Sequence, residues 1–161
     1  MLAARYRKPW PIVAGIFVAT LVNHGIAGAV GAWLTRTIGP EAMRWILGVS
    51  FIAMAAWMLV PDKLGEDEAA PRKVGGVFLS TTVLFFLVEI GDKTQIATVA
   101  LAARFDSLLA VVMGTTIGMI LANAPVAFFG EALAKRLPVW IVHRVAAAIF
   151  AALGVGVLAF G

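Results

Sequence analysis

The sequence predicts an all-α membrane protein, with about five transmembrane helices arranged as part of an inverted three-plus-three repeat whose first helix is missing. Three observations carry that reading. First, 61% of the 161 residues are hydrophobic, 14% are charged and the mean hydropathy is +0.96, a balance that soluble domains do not reach. Second, the apolar residues fall into five runs, each near the roughly 20 residues a helix needs to cross a bilayer. Third, the two halves of the chain resemble each other. At this length one transmembrane domain over residues 1–161 is expected. Cysteine is absent, which removes disulfides, thiolate catalysis and thiolate metal sites. The net charge of +4 would suggest nucleic acid for a soluble protein, but the basic residues cluster at the ends of apolar runs. There they read as topology signals, and no nucleic-acid partner is expected.

The first span is expected over about 12–34. The basic start RYRK followed by IVAGIFVATLV also resembles a signal peptide, but the apolar run continues to Trp33. Asn23 and His24 lie mid-span, where they could line a path or form a helix–helix hydrogen bond. The segment TRTIGPEAMR carries a helix-stopping Gly39-Pro40 and leads to a second span over about 43–60. The strongly polar stretch PDKLGEDEAAPRK then reads as a solvated cytoplasmic loop at 61–73, dividing an incomplete first repeat (1–60) from a second (74–161). Its Glu66, Asp67 and Glu68 could collect cations at the mouth of a path or simply be solvated.

The third span, about 75–101, contains VEIGDKTQIA. On one continuous helix Glu89 and Asp92, three apart, would share a face, and Lys93 would stand four from Glu89. Their apolar flanks TTVLFFLV and IATVALAA place them near mid-bilayer, where charges are costly and usually mark a substrate path or proton relay. Gly91 loosens the helix there and admits another backbone or an ion. RFDS is a tight turn into the fourth span, about 107–134. Its Thr115 and Thr116 could face a path or bond back to their own helix. Asn123 is near the repeat counterpart of Asn23 and His24. Glu131 and Lys135 suit a surface pair. KRLP leads to the fifth span, about 139–160, with His143 at the interface. The glycines at 15, 28, 31, 114, 118 and 130 suit close helix packing.

Lys and Arg concentrate on cytoplasmic loops. Arg5, Arg7, Lys8, Lys63, Arg72, Lys73, Lys135, Arg136 and Arg144 fall on one side, against Arg36, Arg44 and Arg104 on the other, so the C-terminus is expected outside. The repeat lays LAARYRKPWPIVAGI (2–16) over LAARFDSLLAVVMGT (101–115) and GAWL (31–34) over GEAL (130–133). In the second half a whole helix with the charged motif precedes LAAR; in the first half only Met1 does. Three helices per half invert one half relative to the other, and Arg5 and Arg104 indeed fall on opposite sides.

Carboxylate, hydroxyl and amide oxygens from Glu89, Asp92, Thr94 and Gln95, without thiolate or imidazole in the motif, suit hard or borderline divalent cations such as Ca²⁺, Mn²⁺ or Mg²⁺. Burial favours a protonated carboxyl and a bound cation favours an ionised one, so loading metal can expel protons. Lys93 could balance the charge of the empty site, or the cluster could be no more than an internal ion pair.

EIGDKTQ resembles the E-x-G-D-[KR]-[ST] signature of a membrane cation/proton exchanger family, formerly uncharacterised protein family sixteen, with Golgi members in eukaryotes and manganese exporters in bacteria. The resemblance implies that Glu89, Asp92, Lys93 and Thr94 take the roles of a second motif copy, the acids acting as ligands and proton carriers. Family members typically carry two copies, whereas this sequence has one. A start placed too late, a truncated chain, or two chains supplying two motifs would each account for that. The expected function is export of Mn²⁺ or Ca²⁺ against protons from a bacterial inner membrane, with the cation as substrate, no cofactor, and a homodimer as one arrangement. The alternative is a non-transporting subunit whose charged motif docks a partner helix. An amino-acid exporter of similar bundle type is a further option, although paired acids suit a cation better than a zwitterion. No enzyme is expected, because the chain lacks a nucleophile with a base at motif spacing, H-E-x-x-H and a phosphate loop.

Overall fold

The computed structural model describes residues 8–60, 76–129 and 139–160. The loop 61–73 with its acidic patch, the LAAR copy at 2–5, the basic residues Arg5, Arg7, Lys63, Arg72, Lys73, Lys135 and Arg136, and Gly130 and Glu131 lie outside the described residues. The described residues form six helices and no strand: α1 (Pro9–Thr37), α2 (Pro40–Met58), α3 (Val77–Glu89), α4 (Lys93–Arg104), α5 (Leu108–Phe129) and α6 (Val139–Phe160). Helices α1, α2, α5 and α6 are each long and apolar enough to cross a membrane.

Local chemistry sets the helix ends. Pro9 and Pro40 stand in the first turns of α1 and α2, where a missing N–H is harmless and the fixed φ suits a helix. Gly39 is the extended N-cap of α2, and Ser107 Oγ accepts the Ala110 N–H at 3.2 Å at the start of α5, a serine cap. Pro125 lies inside α5, which membrane helices tolerate.

The third apolar run corrects one expectation. It is not a continuous helix over 75–101 but two, α3 and α4, separated at Ile90–Asp92. Gly91 takes φ +85°, a left-handed conformation that would interrupt any helix and that glycine enters without penalty. Glu89 and Asp92 therefore do not share a helical face; they flank a break.

Pair contacts give the direction of each helix. Along α1, Gly15 meets Phe78 and Thr81, Asn23 meets Phe86, and Gly31 meets Val99 and Ala102, so α3 and α4 follow one another in the direction of α1. α5 runs the other way: Gly28 meets Leu108 and Val112, His24 meets Thr115, and Trp10 packs edge-on against Phe128. α2 and α6 are likewise antiparallel, with Gly48 against Leu158, Gly154 against Ile52, and Phe51 against Phe150. A core of Met43, Leu47, Phe51, Met54, Phe150 and Val157 closes on Ala97, Ala100 and Ala103, so α4 joins the α2–α6 pair to the rest.

The large apolar residues on the outside, such as Val22, Ile26, Leu109 and Leu121, are what a chain solvated by lipid presents. The exposed tryptophans Trp10, Trp33, Trp45, Trp57 and Trp140 all sit near helix ends, as interfacial aromatic belts do. Trp10 and Trp33 are about 35 Å apart along α1, close to the roughly 30 Å of a hydrocarbon core.

Candidate cation site

The break is built by its own sequence. Asp92 is the N-cap of α4, and its Oδ2 accepts the Thr94 N–H at 3.3 Å and the Thr94 hydroxyl at 2.8 Å. Gln95 reaches back, its Oε1 accepting the Gly91 N–H at 2.8 Å. This reciprocal arrangement is close to a capping box, and it satisfies N–H groups that the start of α4 would otherwise leave unpaired. The Asp92 N–H donates to the Glu89 carbonyl at 3.1 Å, closing the turn.

Around that turn the structure gathers several of the expected residues. Glu89 is buried at the end of α3, with 6% of its surface exposed. Thr94 Oγ1 stands between the two carboxylates, 2.8 Å from Asp92 Oδ2 and 3.4 Å from Glu89 Oε2. From α1, His24 directs Nε2 toward Glu89 Oε2 at 4.0 Å, the outer limit of an ion pair and beyond hydrogen-bond reach. On its other side His24 Nδ1 lies 2.9 Å from Thr115 Oγ1 of α5. Glu89, Asp92, Thr94, His24 and Thr115 thus form one chain of polar contacts across α3, α4, α1 and α5. On α1, His24 lies about 4 Å beyond the midpoint between Trp10 and Trp33, so the cluster is near mid-depth.

The remaining candidates are placed differently. Asn23 Nδ2 donates to the Phe86 carbonyl at 3.1 Å, tying α1 to the last turn of α3. Gln95 is turned into the cap. Lys93 Nζ lies 3.4 Å from the Trp57 carbonyl and 3.3 Å from the Val60 carbonyl, over the Trp57 ring, so its charge meets the negative end of α2. Asn123 bonds within its own helix, to Met119 O and Sδ at 3.0 Å, apart from the cluster. Thr116 is fully buried, and its Oγ1 has no hydrogen-bond partner among the described residues. Thr20, one turn before His24, shares both properties and was missed at the sequence level. Its spacing of four from His24 was the available signal.

Among the described residues no three His, Cys, Asp or Glu side chains converge as a ready metal centre. A groove of about 480 Å³ between the end of α4 and the start of α5 is lined by Leu101, Phe105, Ala110 and Val111. Asp106 and Ser107 stand at it as well, and it shares Thr115 alone with the polar cluster.

Comparisons with known proteins identify the family. Residues 1–66 and 77–161 match the family model described as divalent cation/proton antiporter GDT1. A Vibrio cholerae protein named "Putative manganese exporter" is 46% identical over 151 residues, covering 93% of this chain and 74% of that protein. GDT1-like protein 3 of Oryza sativa subsp. indica is 30% identical over 159 residues, covering 86% of this chain and 57% of its own. GDT1-like protein sll0615 of Synechocystis is 27% identical over 155 residues, with 85% and 75% covered. No solved structure matches the chain significantly. The chain belongs to the GDT1 divalent cation/proton antiporter family.

Proposed function

With that membership as premise, we propose that the protein exports Mn²⁺ or Ca²⁺ in exchange for protons, using the Glu89 and Asp92 carboxylates as a site that either species can occupy. The observation that carries this reading is the placement of buried Glu89 beside Asp92 at a helix break near mid-depth, with Thr94 Oγ1 between them. A broken helix exposes backbone ends where a continuous one would not, and transporters commonly place ion sites at such points. A divalent cation bound to both carboxylates neutralises them. When it leaves, two buried negative charges remain, and protons from the opposite face restore neutrality. The threonine hydroxyl supplies a neutral oxygen, and the Thr20 and Thr116 hydroxyls, buried without partners among the described residues, offer further oxygens on α1 and α5.

The alternating directions of the spans suit an inverted repeat pairing α1 with α5 and α2 with α6, with the C-terminus outside a bacterial inner membrane. A second copy of the chain is the proposed partner. The surface of α5 supports this, since among the described residues nothing lies within 4 Å of a Cβ on Gly114 or Gly118 and Leu121 is 70% exposed, as a face prepared for close helix contact would be.

The test is metal-driven proton movement in sealed vesicles carrying the purified chain, compared with Glu89→Gln and Asp92→Asn. Coupled flux in the parent and none in either variant, with folding intact, is the expected result. Flux that survives both substitutions removes the carboxylates from the mechanism. No coupled flux in the parent, with assembly disturbed in the variants, would instead favour a non-transporting subunit.

A further inference from the structure

We propose that His24 is a direct ligand of the transported cation through Nε2, and that this nitrogen makes the site prefer Mn²⁺ to Ca²⁺. The inference rests on the antiporter reading above and adds a specificity-determining residue to it.

The hydrogen-bond inventory around the ring assigns its tautomer. Thr115 Oγ1 is 2.9 Å from the Val111 carbonyl and 3.2 Å from the Val112 carbonyl. Those oxygens can only accept, so they take the single hydroxyl proton. Thr115 Oγ1 then faces His24 Nδ1, at 2.9 Å, as an acceptor, and Nδ1 must carry the ring proton. The opposite tautomer would forfeit the bond from Thr115 to the backbone, and its Nε2–H would meet Glu89 at 4.0 Å, too far to compensate. Nε2 is thus a lone-pair nitrogen. It belongs to a side chain only 1% exposed, has no hydrogen-bond partner among the described residues, and is directed at the Glu89 carboxylate.

That is the arrangement of a metal-binding histidine, whose second ring N–H is held by an acceptor so that the first nitrogen presents its lone pair. The separation also fits. An ion with bonds of about 2.2 Å to each group spans the 4.0 Å between His24 Nε2 and Glu89 Oε2 at an angle of about 130°, and rotation of the carboxylate narrows it. With Thr94 Oγ1 beside Glu89, the set comprises one nitrogen and oxygens, the remaining positions falling to water. Ca²⁺ takes oxygen ligands and gains little from imidazole, whereas transition-metal ions accept it readily. Thr115 is the positioning residue that fixes the tautomer.

The test uses the full chain in nanodiscs, grown with ¹⁵N-histidine and loaded with Mn²⁺, read by electron spin echo modulation. Nitrogen coupling to Mn²⁺ is expected in the parent protein and in His143→Gln, and is expected to vanish in His24→Gln. Because the parent alone can show or lack the coupling, a variant that fails to fold does not blunt the test. His24→Gln should weaken Mn²⁺ binding by about 10- to 100-fold and Thr115→Val by about 10-fold, while Ca²⁺ binding in His24→Gln changes less than about three-fold. Bound Mn²⁺ without nitrogen coupling, coupling that persists in His24→Gln, equal losses for Mn²⁺ and Ca²⁺, or no Mn²⁺ binding at all each overturn the proposal. Vesicle flux separates the two readings: flux without nitrogen coupling removes His24 and leaves the antiporter, and nitrogen coupling without flux does the reverse.

Discussion

Helices α1 and α5 occupy matched places in the expected repeat, yet half of the most apolar stretch of α1 is buried and only 17% of that of α5. The glycines make the contrast local. Gly15 and Gly114 align in the expected repeat; a Cβ on Gly15 would stand 2.9 Å from Thr81 Cβ, whereas one on Gly114 would meet nothing within 4 Å among the described residues. On α1, Gly15 and Gly31 are taken up by α3 and α4, which carry the motif, and Gly28 by α4 and the start of α5. On α5 the same device faces outward, with no helix against it among the described residues. A helix enters close contact because another backbone is present to receive it, and a polar cluster forms only where that happens.

The largest expected difference between the two helices is functional. Glu89→Gln, opposite α1, should lower metal-driven proton flux by at least about 100-fold, the upper end of what loss of even an outer-shell group does to a metal site. Leu121→Ala on α5 should leave flux in the same assay within about two-fold, since surface truncation seldom matters. Similar losses in both would mean that the outer face of α5, and not Thr115 alone, is part of the site.

Next in size is packing. Gly31→Ala drives a Cβ into the Val99 carbonyl and Ala102 and should destabilise by about 1–3 kcal/mol. Gly118→Ala meets no described residue within 4 Å and should be neutral or stabilise by up to about 1 kcal/mol. Thermal unfolding in detergent reads both. If Gly118→Leu also splits a dimer into monomers by light scattering, α5 is the surface between two copies, and the asymmetry belongs to a single chain only.

Smaller still is the hydrogen-bonded pair. Asn23→Ala breaks the tie to the Phe86 carbonyl and should lower the unfolding free energy by about 0.6–1.7 kcal/mol. Asn123→Ala loses bonds within its own helix and should stay within about 0.5 kcal/mol. Equal effects would show that α5 is as constrained as α1 despite its exposure.

The spans could be read from the chain because hydropathy alone sets them, and their observed ends fall within a few residues of those expected, apart from the end expected near 134, which lies outside the described residues. The break could not be read from hydropathy, since TTVLFFLV and IATVALAA on either side average into one apolar run. Its signal was chemical: a glycine followed by Asp92-Lys93-Thr94-Gln95, an N-cap with an amide three residues on. The place of His24 beside Glu89 was beyond the sequence for another reason. Helices that are apolar all round have no polar face to point outward, so nothing in the pattern says which neighbour a buried polar residue meets. Asn23 and His24 are adjacent and chemically similar, yet one bonds to backbone and the other is directed at a carboxylate.

The depth of the cluster has an electrical consequence. A doubly charged ion reaching a site midway between the two tryptophan belts crosses about half of the transmembrane voltage from either face. At 100 mV that is about 2.3 kcal/mol, or roughly 50-fold in apparent affinity. A cation site at the proposed place would therefore feel the energised state of the membrane even before any proton moves. How strongly net transport feels it depends on the charge carried back through the same field: two returning protons would cancel the effect, and one would leave half of it.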